Sequence, residues 1–342
     1  MRLLAAFQVA IVHGYEHFGV EHGESFIAVL SMFPGVTIFF VISGFLISAS
    51  WERSSSLLSY FENRFLRIYP ALWGCFIFSL LSLFIVYSPQ FSAIEMGKWG
   101  LAQLTIGQFY NPEFMREYGV GVLNGSLWTI PVEIQFYLIL PVLYVLIRSS
   151  SWSKLLLPIL IFLLVIVNQS YFAFRSADGG VLIKLFGVTV LPYLYIFLLG
   201  VLLQRNLPFV EKYLAHKAPI LLILYLASVC VSWVLGLSYQ GNSLNPISTV
   251  ILSLLIISMA YSNVGKFGAI LKGHDVSYGI YIYHMIFVNI LIHLSVFSPP
   301  INMLIMLMLT TIVALLSWNV IEKPSLSMKR YSVRDQKNNK AI

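Results

Sequence analysis

Apolar side chains in this chain are gathered into long runs, separated by short polar stretches. A helix of about 20 mostly apolar residues crosses the ~30 Å hydrocarbon core of a bilayer. Each run has about that length, so the pattern predicts an all-α integral membrane protein with ten transmembrane helices. The predicted spans are residues 3–20, 26–50, 68–88, 127–148, 153–170, 182–204, 219–237, 246–262, 276–294 and 301–321.

The composition agrees with a membrane protein. Hydrophobic residues make up 58% of the 342 residues and charged residues 10%, against about 45–50% and about 25% in soluble domains. A water-soluble globule and a disordered chain are therefore excluded. The net charge of +7 does not indicate a nucleic-acid partner, because excess Lys and Arg in a membrane protein report topology first. Cys75 and Cys230 lie in apolar runs, so we expect neither a disulfide framework nor a metal site.

The basic residues predict an orientation for these spans. With a cytoplasmic N-terminus, 17 of the 21 Lys and Arg residues fall on the cytoplasmic side, as the positive-inside rule requires. The cytoplasmic set includes Lys266, Lys272 and the basic residues after Glu322. Both termini are therefore predicted to be cytoplasmic. We expect one transmembrane domain over residues 1–325, followed by a basic cytoplasmic tail over residues 326–342.

Three ionisable residues inside the predicted spans are candidates for acid–base chemistry. Such groups are costly in a bilayer unless they are paired or hydrated, so they usually mark a site. His13 lies about 16 Å along the first helix from Arg2, and the depths of Glu133 and His284 place all three in one central layer. A carboxylate near an imidazole orients the ring and favours its protonated form. Alternatively, the histidines are hydrogen-bonded packing residues, and Glu133 joins helices by accepting from Tyr or Trp.

Two arginines at the predicted cytoplasmic entrance of the third helix form a second candidate site. Arg64 and Arg67 are three residues apart, which puts them on one helix face, and guanidinium groups bind phosphate in a bidentate manner. With Arg2 on the same side, they predict an anion site below the acid–base layer. The alternative is a topological anchor or a contact to anionic membrane lipids.

Three further features of the sequence can each be interpreted in more than one way. Small residues in the run 35–45 either permit close helix contact or line a channel for a slender ligand. His17 and His22 lie beside acidic residues near the outer end of the first helix, where a solvated acidic loop is favoured over a surface metal site. The long outer stretch 89–126 carries several aromatic residues and indicates an interfacial or re-entrant segment.

Six pieces of the sequence, in order, resemble the membrane acyltransferase family 3, whose members O-acetylate bacterial surface sugars. Each piece is degenerate alone, but together they cover nearly the whole chain. The pieces are Arg2 and His13 in an Arg-x10-His pattern, Gly35–Phe45, Arg64-x-x-Arg67 before Ile68-Tyr69-Pro70, Ser126-Leu127-Trp128 with Glu133 and Phe136-Tyr137, Ser277-Tyr278-Gly279 with Tyr283-His284, and Glu322-Lys323-Pro324.

The resemblance implies a multi-pass enzyme of the bacterial inner membrane. It implies that acetyl passes from cytoplasmic acetyl-CoA to a carbohydrate acceptor, either a polysaccharide or a lipid-linked sugar. The proposed catalytic histidine of the family maps onto His13, and its functional arginines map onto Arg2, Arg64 and Arg67. Some relatives carry an extra hydrolase-like domain that has no counterpart in this sequence. The competing prediction is a transporter or flippase for a lipid-linked sugar, which also places charged groups at mid-membrane.

Overall fold

The computed structural model describes residues 1–149, 153–177, 180–262 and 275–329. Helix makes up 80% of the structure, and these four ranges contain no β-strand, so the predicted all-α class is confirmed. Lys266, Lys272 and most of the predicted basic tail lie outside the described residues.

The described part of the chain contains the following α-helices in chain order. They are α1 (Arg2–Phe18), α2 (Glu24–Ser31), α3 (Gly35–Arg53), α4 (Leu57–Val86), α5 (Ala93–Leu104), α6 (Thr129–Ser149), α7 (Ser153–Ser176), α8 (Gly180–Phe186), α9 (Leu194–Arg205), α10 (Leu207–Phe209), α11 (Ala218–Val234), α12 (Pro246–Ala260), α13 (Ser277–Leu294), α14 (Pro299–Ser317) and α15 (Lys323–Ser327).

Six helical segments are long and apolar enough to cross a membrane, judged by length and composition. Two bent pairs, α8 with α9 and α10 with α11, raise the number to eight if each pair is one span. The bends are 58° and 90°. The two remaining predicted spans correspond to α1, with 17 residues, and α12, with 15 residues. The structure thus supports six to eight spans among the described residues, and the count of ten stays a prediction.

Two helix boundaries differ from the predicted ones. α4 begins at Leu57 because the Ser56 side chain accepts from the backbone N–H of Ser59 and caps the helix. Arg64 and Arg67 therefore lie inside a helix and not at its entrance. The predicted acidic loop also begins later than expected, because α1 continues to Phe18 and His17 is helical. In both places polar residues interrupt the apolar run without interrupting the helix, since Arg, Glu and Leu are good helix formers.

Contacts divide the chain into two compact units. The first unit holds the described residues of Met1–Ala5, Ala28–Arg53 and Val132–Gly273, and the second those of Ala6–Ile27, Ser54–Pro131 and His274–Ile342.

In the first unit, α3 and α9 approach each other closely at two glycines. A Cβ on Gly44 would lie 2.0 Å from the carbonyl oxygen of Phe197, and one on Gly200 would lie 2.2 Å from that of Val41. Neither position has room for a side chain. The rings of Phe40 and Phe136 stack on Phe197 beside this contact. For Gly44, the small-residue run therefore serves close helix contact.

In the second unit, α13 is the most enclosed helix among the six candidate spans, and 72% of its residues are buried. It packs along α14 and α4. Gly14 brings α1 against α14, because a Cβ there would lie 2.6 Å from the side chains of Met303 and Met306. A second apolar cluster gathers the outer stretch around Trp99 and Tyr118, both fully buried. The predicted aromatic stretch 89–126 thus folds as α5 and several tight turns.

Candidate active site

Two of the predicted site residues, His13 and His284, lie in contact in the second unit. His13 Nδ1 and His284 Nε2 are 3.0 Å apart, a hydrogen-bonding distance between two ring nitrogens. His284 is fully buried in α13, whereas His13 on α1 is half-buried. The residues are separated by 271 positions in the sequence, so tertiary packing alone brings them together.

The hydrogen bonds around the pair determine which nitrogen carries each proton. His284 Nδ1 lies 3.2 Å from the carbonyl oxygen of Ile280, and a carbonyl only accepts. His284 Nδ1–H is therefore the donor, and Nε2 of the neutral ring is an acceptor. It follows that His13 Nδ1–H donates to His284 Nε2. The Nε2 atom of His13 then carries the free lone pair, as a general base requires.

A hydroxyl network fixes the helical turn that carries His284. The Tyr281 hydroxyl donates to the carbonyl oxygen of Ser126 at 2.8 Å, which uses its only proton. Thr129 Oγ1 lies 2.8 Å from the Tyr281 hydroxyl and 3.4 Å from the same carbonyl, to which it donates. Tyr281 therefore has no proton left for a substrate oxygen. Its role is to hold α13 against the 3₁₀ turn Gly125–Trp128.

Asn289, one and a half turns beyond His284, anchors the outer stretch to the same helix. Its amide oxygen accepts from the backbone N–H of Val120 at 2.8 Å, and its amide nitrogen donates to the carbonyls of Val122 and Leu123. Asn289 is fully buried. Gly119 approaches it so closely, with a φ of +56°, that only glycine fits there. Sequence reasoning missed this residue, because a single Asn in an apolar run gives no sign of what it contacts.

Glu133 lies in the first unit, in the second turn of α6. Its Oε1 accepts from the Tyr137 hydroxyl at 2.6 Å and from Ser43 Oγ at 3.1 Å. Both donors belong to motifs in the predicted acyltransferase pattern. The contacts join α6 to α3, which matches the interpretation of Glu133 as a hydrogen-bond acceptor between helices. They leave a second carboxylate oxygen for other work.

The two arginines of the predicted anion site lie one turn apart on α4, in the second unit. Arg67 forms an ion pair with Asp275, with Nη2 and Oδ2 2.7 Å apart, and Ser277 donates to the other oxygen of that carboxylate. The Arg64 guanidinium lies 6.0 Å from the ring centroid of Tyr60, within cation–π range. Asp275 was missed by sequence reasoning, although it lies two residues before the Ser277-Tyr278-Gly279 motif. Arg2, the remaining predicted member, is half-buried in the first turn of α1.

Comparison with known families decides which chemistry this geometry serves. Residues 1–319 match the family described as "Acyltransferase domain". The chain belongs to this acyltransferase family. The match covers both units and includes every predicted site residue. No solved structure matches the chain significantly.

Relatives of this chain support an O-acetyltransferase, and two of them match over nearly their whole length. Nodulation protein 10 of Rhizobium leguminosarum bv. viciae is 31% identical over 96% of this chain and 92% of its own length. The O-acetyl transferase of Shigella phage Sf6 is 26% identical over 95% and 94%. The peptidoglycan O-acetyltransferase OatA of Listeria monocytogenes is 30% identical over 38% of this chain and 22% of its own length.

Metal ligands do not gather in the described ranges. Within residues 1–149, 153–177, 180–262 and 275–329, no three His, Cys, Asp or Glu side chains are placed to hold one ion.

Proposed function

We propose that this protein is a membrane O-acetyltransferase of bacterial envelope biosynthesis. It takes acetyl from acetyl-CoA in the cytoplasm and transfers it to a sugar hydroxyl. The acceptor is a cell-surface polysaccharide, such as O-antigen, capsule or exopolysaccharide, or its lipid-linked precursor. Family membership and the named activities of the relatives support the reaction class. The apolar helices support a multi-pass location, which we assign to the inner membrane.

The hydrogen bond between His13 and His284 carries this proposal. It leaves the lone pair on His13 Nε2, where it can accept the proton of the acceptor hydroxyl. The hydroxyl oxygen then attacks the thioester carbonyl carbon, the C–S bond breaks, and the electron pair leaves with the sulfur of coenzyme A. The proton held by His13 passes to that sulfur, so atoms and charge balance.

His284 is a positioning residue in this mechanism. It holds the His13 ring in one orientation and one tautomer, as the third group of a nucleophile–base–orienter arrangement does. It also accepts more strongly from a protonated His13 than from a neutral one, because a charged donor makes a stronger hydrogen bond. A variant of the mechanism passes the acetyl group covalently through His13 Nε2, and the same tautomer supports both.

The donor site is assigned to Arg64, Arg67 and Arg2, which hold the phosphates of coenzyme A. The ion pair with Asp275 holds the Arg67 guanidinium in one orientation. Glu133 is assigned to orienting or protonating an imidazole. These four roles rest on the sequence pattern and on the family.

The topology assigned to the enzyme has ten transmembrane helices with both termini in the cytoplasm. The bias of 17 of 21 basic residues toward one side supports it. In this arrangement the donor binds from the cytoplasm and the acceptor from the outer face. Neither substrate then crosses the membrane, and only the acetyl group does.

The test compares surface polysaccharide from a deletion strain with that from strains complemented by the wild type or by His13→Ala. Proton NMR measures the O-acetyl signals, and immunoblotting of membranes confirms equal amounts of protein. We expect the acetyl signal to vanish on deletion and to return with the wild type alone. The sugar protons that shift identify the acetylated hydroxyl.

Two results would contradict the proposal. Full acetylation with a normally folded His13→Ala variant would exclude His13 as the base. Unchanged acetylation in the deletion strain, with shortened or retained polysaccharide, would instead indicate the transporter or flippase.

A further inference from the structure

A third imidazole stands beside the His13–His284 pair, on the exposed side. His17 lies four residues after His13 on α1, so the two side chains share one helix face. Their ring centroids are 6.1 Å apart. His284 is fully buried, His13 is half-buried and His17 is exposed. The exposure of the three rings thus increases from His284 to His13 to His17.

The rings of His13 and His17 are further apart than the rings of His13 and His284. The centroids of His13 and His284 are 5.2 Å apart, and these rings are joined by a direct hydrogen bond of 3.0 Å. The centroids of His13 and His17 lie 0.9 Å further apart than that, and the rings are inclined by 51°. The wider gap between His13 and His17 suits an oxygen atom that bonds to both rings at about 2.8 Å each.

The tautomer of His13 limits which hydrogen bonds can form in the gap between His13 and His17. His13 Nδ1–H is directed at His284, which leaves His13 with an acceptor nitrogen and no second donor. A hydroxyl placed between the rings can therefore donate to His13 Nε2 and accept from a ring N–H of His17. One O–H group satisfies both contacts, because a hydroxyl is one donor and two acceptor lone pairs.

We propose that His17 binds the acceptor hydroxyl together with His13. His17 donates a hydrogen bond to the hydroxyl oxygen and so directs its proton at His13 Nε2. The ligand class is an alcohol, here a sugar hydroxyl that enters from the exposed end of α1. This inference rests on the proposed function, since it assigns the acceptor side of the same reaction. It requires no further reactant, because His17 keeps its proton throughout.

The test uses the full-length protein, purified in detergent, with acetyl-CoA and with polysaccharide isolated from the deletion strain as the acceptor probe. KM is measured for each substrate in the wild type, His17→Ala, His17→Gln and His22→Asn. Loss of one hydrogen bond corresponds to about tenfold in affinity. We expect His17→Ala to raise the KM for polysaccharide about tenfold and to leave the KM for acetyl-CoA unchanged. His17→Gln keeps an N–H donor and should restore most of the acceptor affinity.

His22→Asn is the matched control. His22 is exposed and belongs to the stretch that follows α1, and Asn tolerates its positive φ of 69°. Its kinetics should equal those of the wild type. An acceptor KM of His17→Ala within twofold of the wild type would overturn the inference. So would a His17→Gln variant as impaired as His17→Ala, since a lost donor would not explain it. If the wild type itself transfers no acetyl, the proposed function fails and this inference fails with it.

Discussion

At the scale of single residues, the proposed mechanism depends on which nitrogen of His13 carries a proton. The Ile280 carbonyl fixes the tautomer of His284, and His284 fixes that of His13. Removing the imidazole of His284 therefore changes the tautomer of His13, although His284 itself does not contact the substrate in the proposed mechanism. The same logic makes His284 and Glu133 separable by experiment, because their contacts lie on different helices.

His284→Phe should lower acetyl transfer about a hundredfold, the usual contribution of a well-placed acid–base group. The benzyl side chain fills the space but accepts no hydrogen bond, so His13 loses its fixed tautomer. Acetyl-CoA turnover in purified protein measures the effect. His293→Phe, on the same helix and partly exposed, should retain normal turnover. Equal loss in both variants would indicate disruption of α13 and not loss of the orienting imidazole.

Glu133→Gln distinguishes a charged role of Glu133 from a packing role. The amide keeps an oxygen that accepts from Ser43 and Tyr137, so the melting temperature should stay within about 2 °C of the wild type. Turnover should fall about tenfold or more if the ionised carboxylate supports the base. Tyr137→Phe, which removes one donor to Glu133, is the control for the packing contact. Normal turnover in Glu133→Gln would assign Glu133 to packing alone.

The sequence was enough to nominate candidate site residues, whereas the contacts between them could not be predicted from it. An ionisable group in an apolar run is conspicuous because placing it in the bilayer costs free energy. His13, Glu133 and His284 were selected on this basis. The 3.0 Å contact between two of them depends on the rotation of two helices that are distant in sequence. Neither hydropathy nor spacing encodes that rotation. Asp275 and Asn289 were missed for the same reason.

At the scale of helices, the first unit depends on glycine where α3 meets α9. The close approach of Gly44 to the Phe197 carbonyl is between two backbones, and neither can move aside by rotating a side chain. Close packing of this kind is what small residues in membrane helices permit.

Gly44→Ala should therefore destabilise the protein by about 3 kcal/mol, at the upper end for overpacking. Thermal unfolding in detergent measures the loss. Gly97→Ala on α5 is the matched control, since a Cβ there meets open space and alanine favours helix by about 1 kcal/mol. If Gly44→Ala unfolds at the same temperature as Gly97→Ala, the two helices do not pack at this distance.

In the second unit, α13 and the outer stretch depend on one amide. Asn289→Leu would leave the N–H of Val120 and the carbonyls of Val122 and Leu123 without their partner. Buried groups left in this way cost about 1–3 kcal/mol each, so we expect a loss of about 3 kcal/mol in unfolding free energy. Asn319→Leu, an exposed residue that donates to the carbonyl of Leu315 in its own helix, should change it by less than about 0.5 kcal/mol.

The helices themselves were well predicted, and their ends were not. Every predicted span overlaps one helix or two consecutive helices, because long apolar runs are the strongest signal in a membrane sequence. The boundaries of α4 and α1 were misplaced. An apolar run ends at the first polar residues, whereas a helix continues until a capping residue or a break in the backbone ends it.

At the scale of the whole molecule, family membership fixes the reaction class and the basic residues predict the topology. The structure describes six to eight candidate spans, and the short helices α1 and α12 account for the difference from ten. If the ten-helix count were wrong by an odd number of spans between two loop residues, one of these residues would lie on the opposite side of the membrane from its predicted side. Labelling of single cysteines is therefore decisive.

Lys98→Cys and Lys212→Cys, each in a Cys230→Ser background, should react differently with a membrane-impermeant maleimide. The native Cys75 is buried and should stay unlabelled. In intact spheroplasts, we expect the residue at position 98 to be labelled and the residue at 212 to be protected until the cells are lysed. Labelling of both in intact cells would contradict the ten-helix topology.

The single helix α13 connects features that serve different purposes. It carries His284, the Tyr281 hydroxyl and the Asn289 amide, each directed at a different neighbour in the second unit. Inserting one residue would turn everything beyond it by about 100° and break at least one of these three contacts. Insertions and deletions between Tyr281 and Asn289 should therefore be selected against during evolution. Loops elsewhere in the chain are free to lengthen, while the spacing between His284, which positions the proposed base, and Asn289, which anchors residues 120–123, should stay constant.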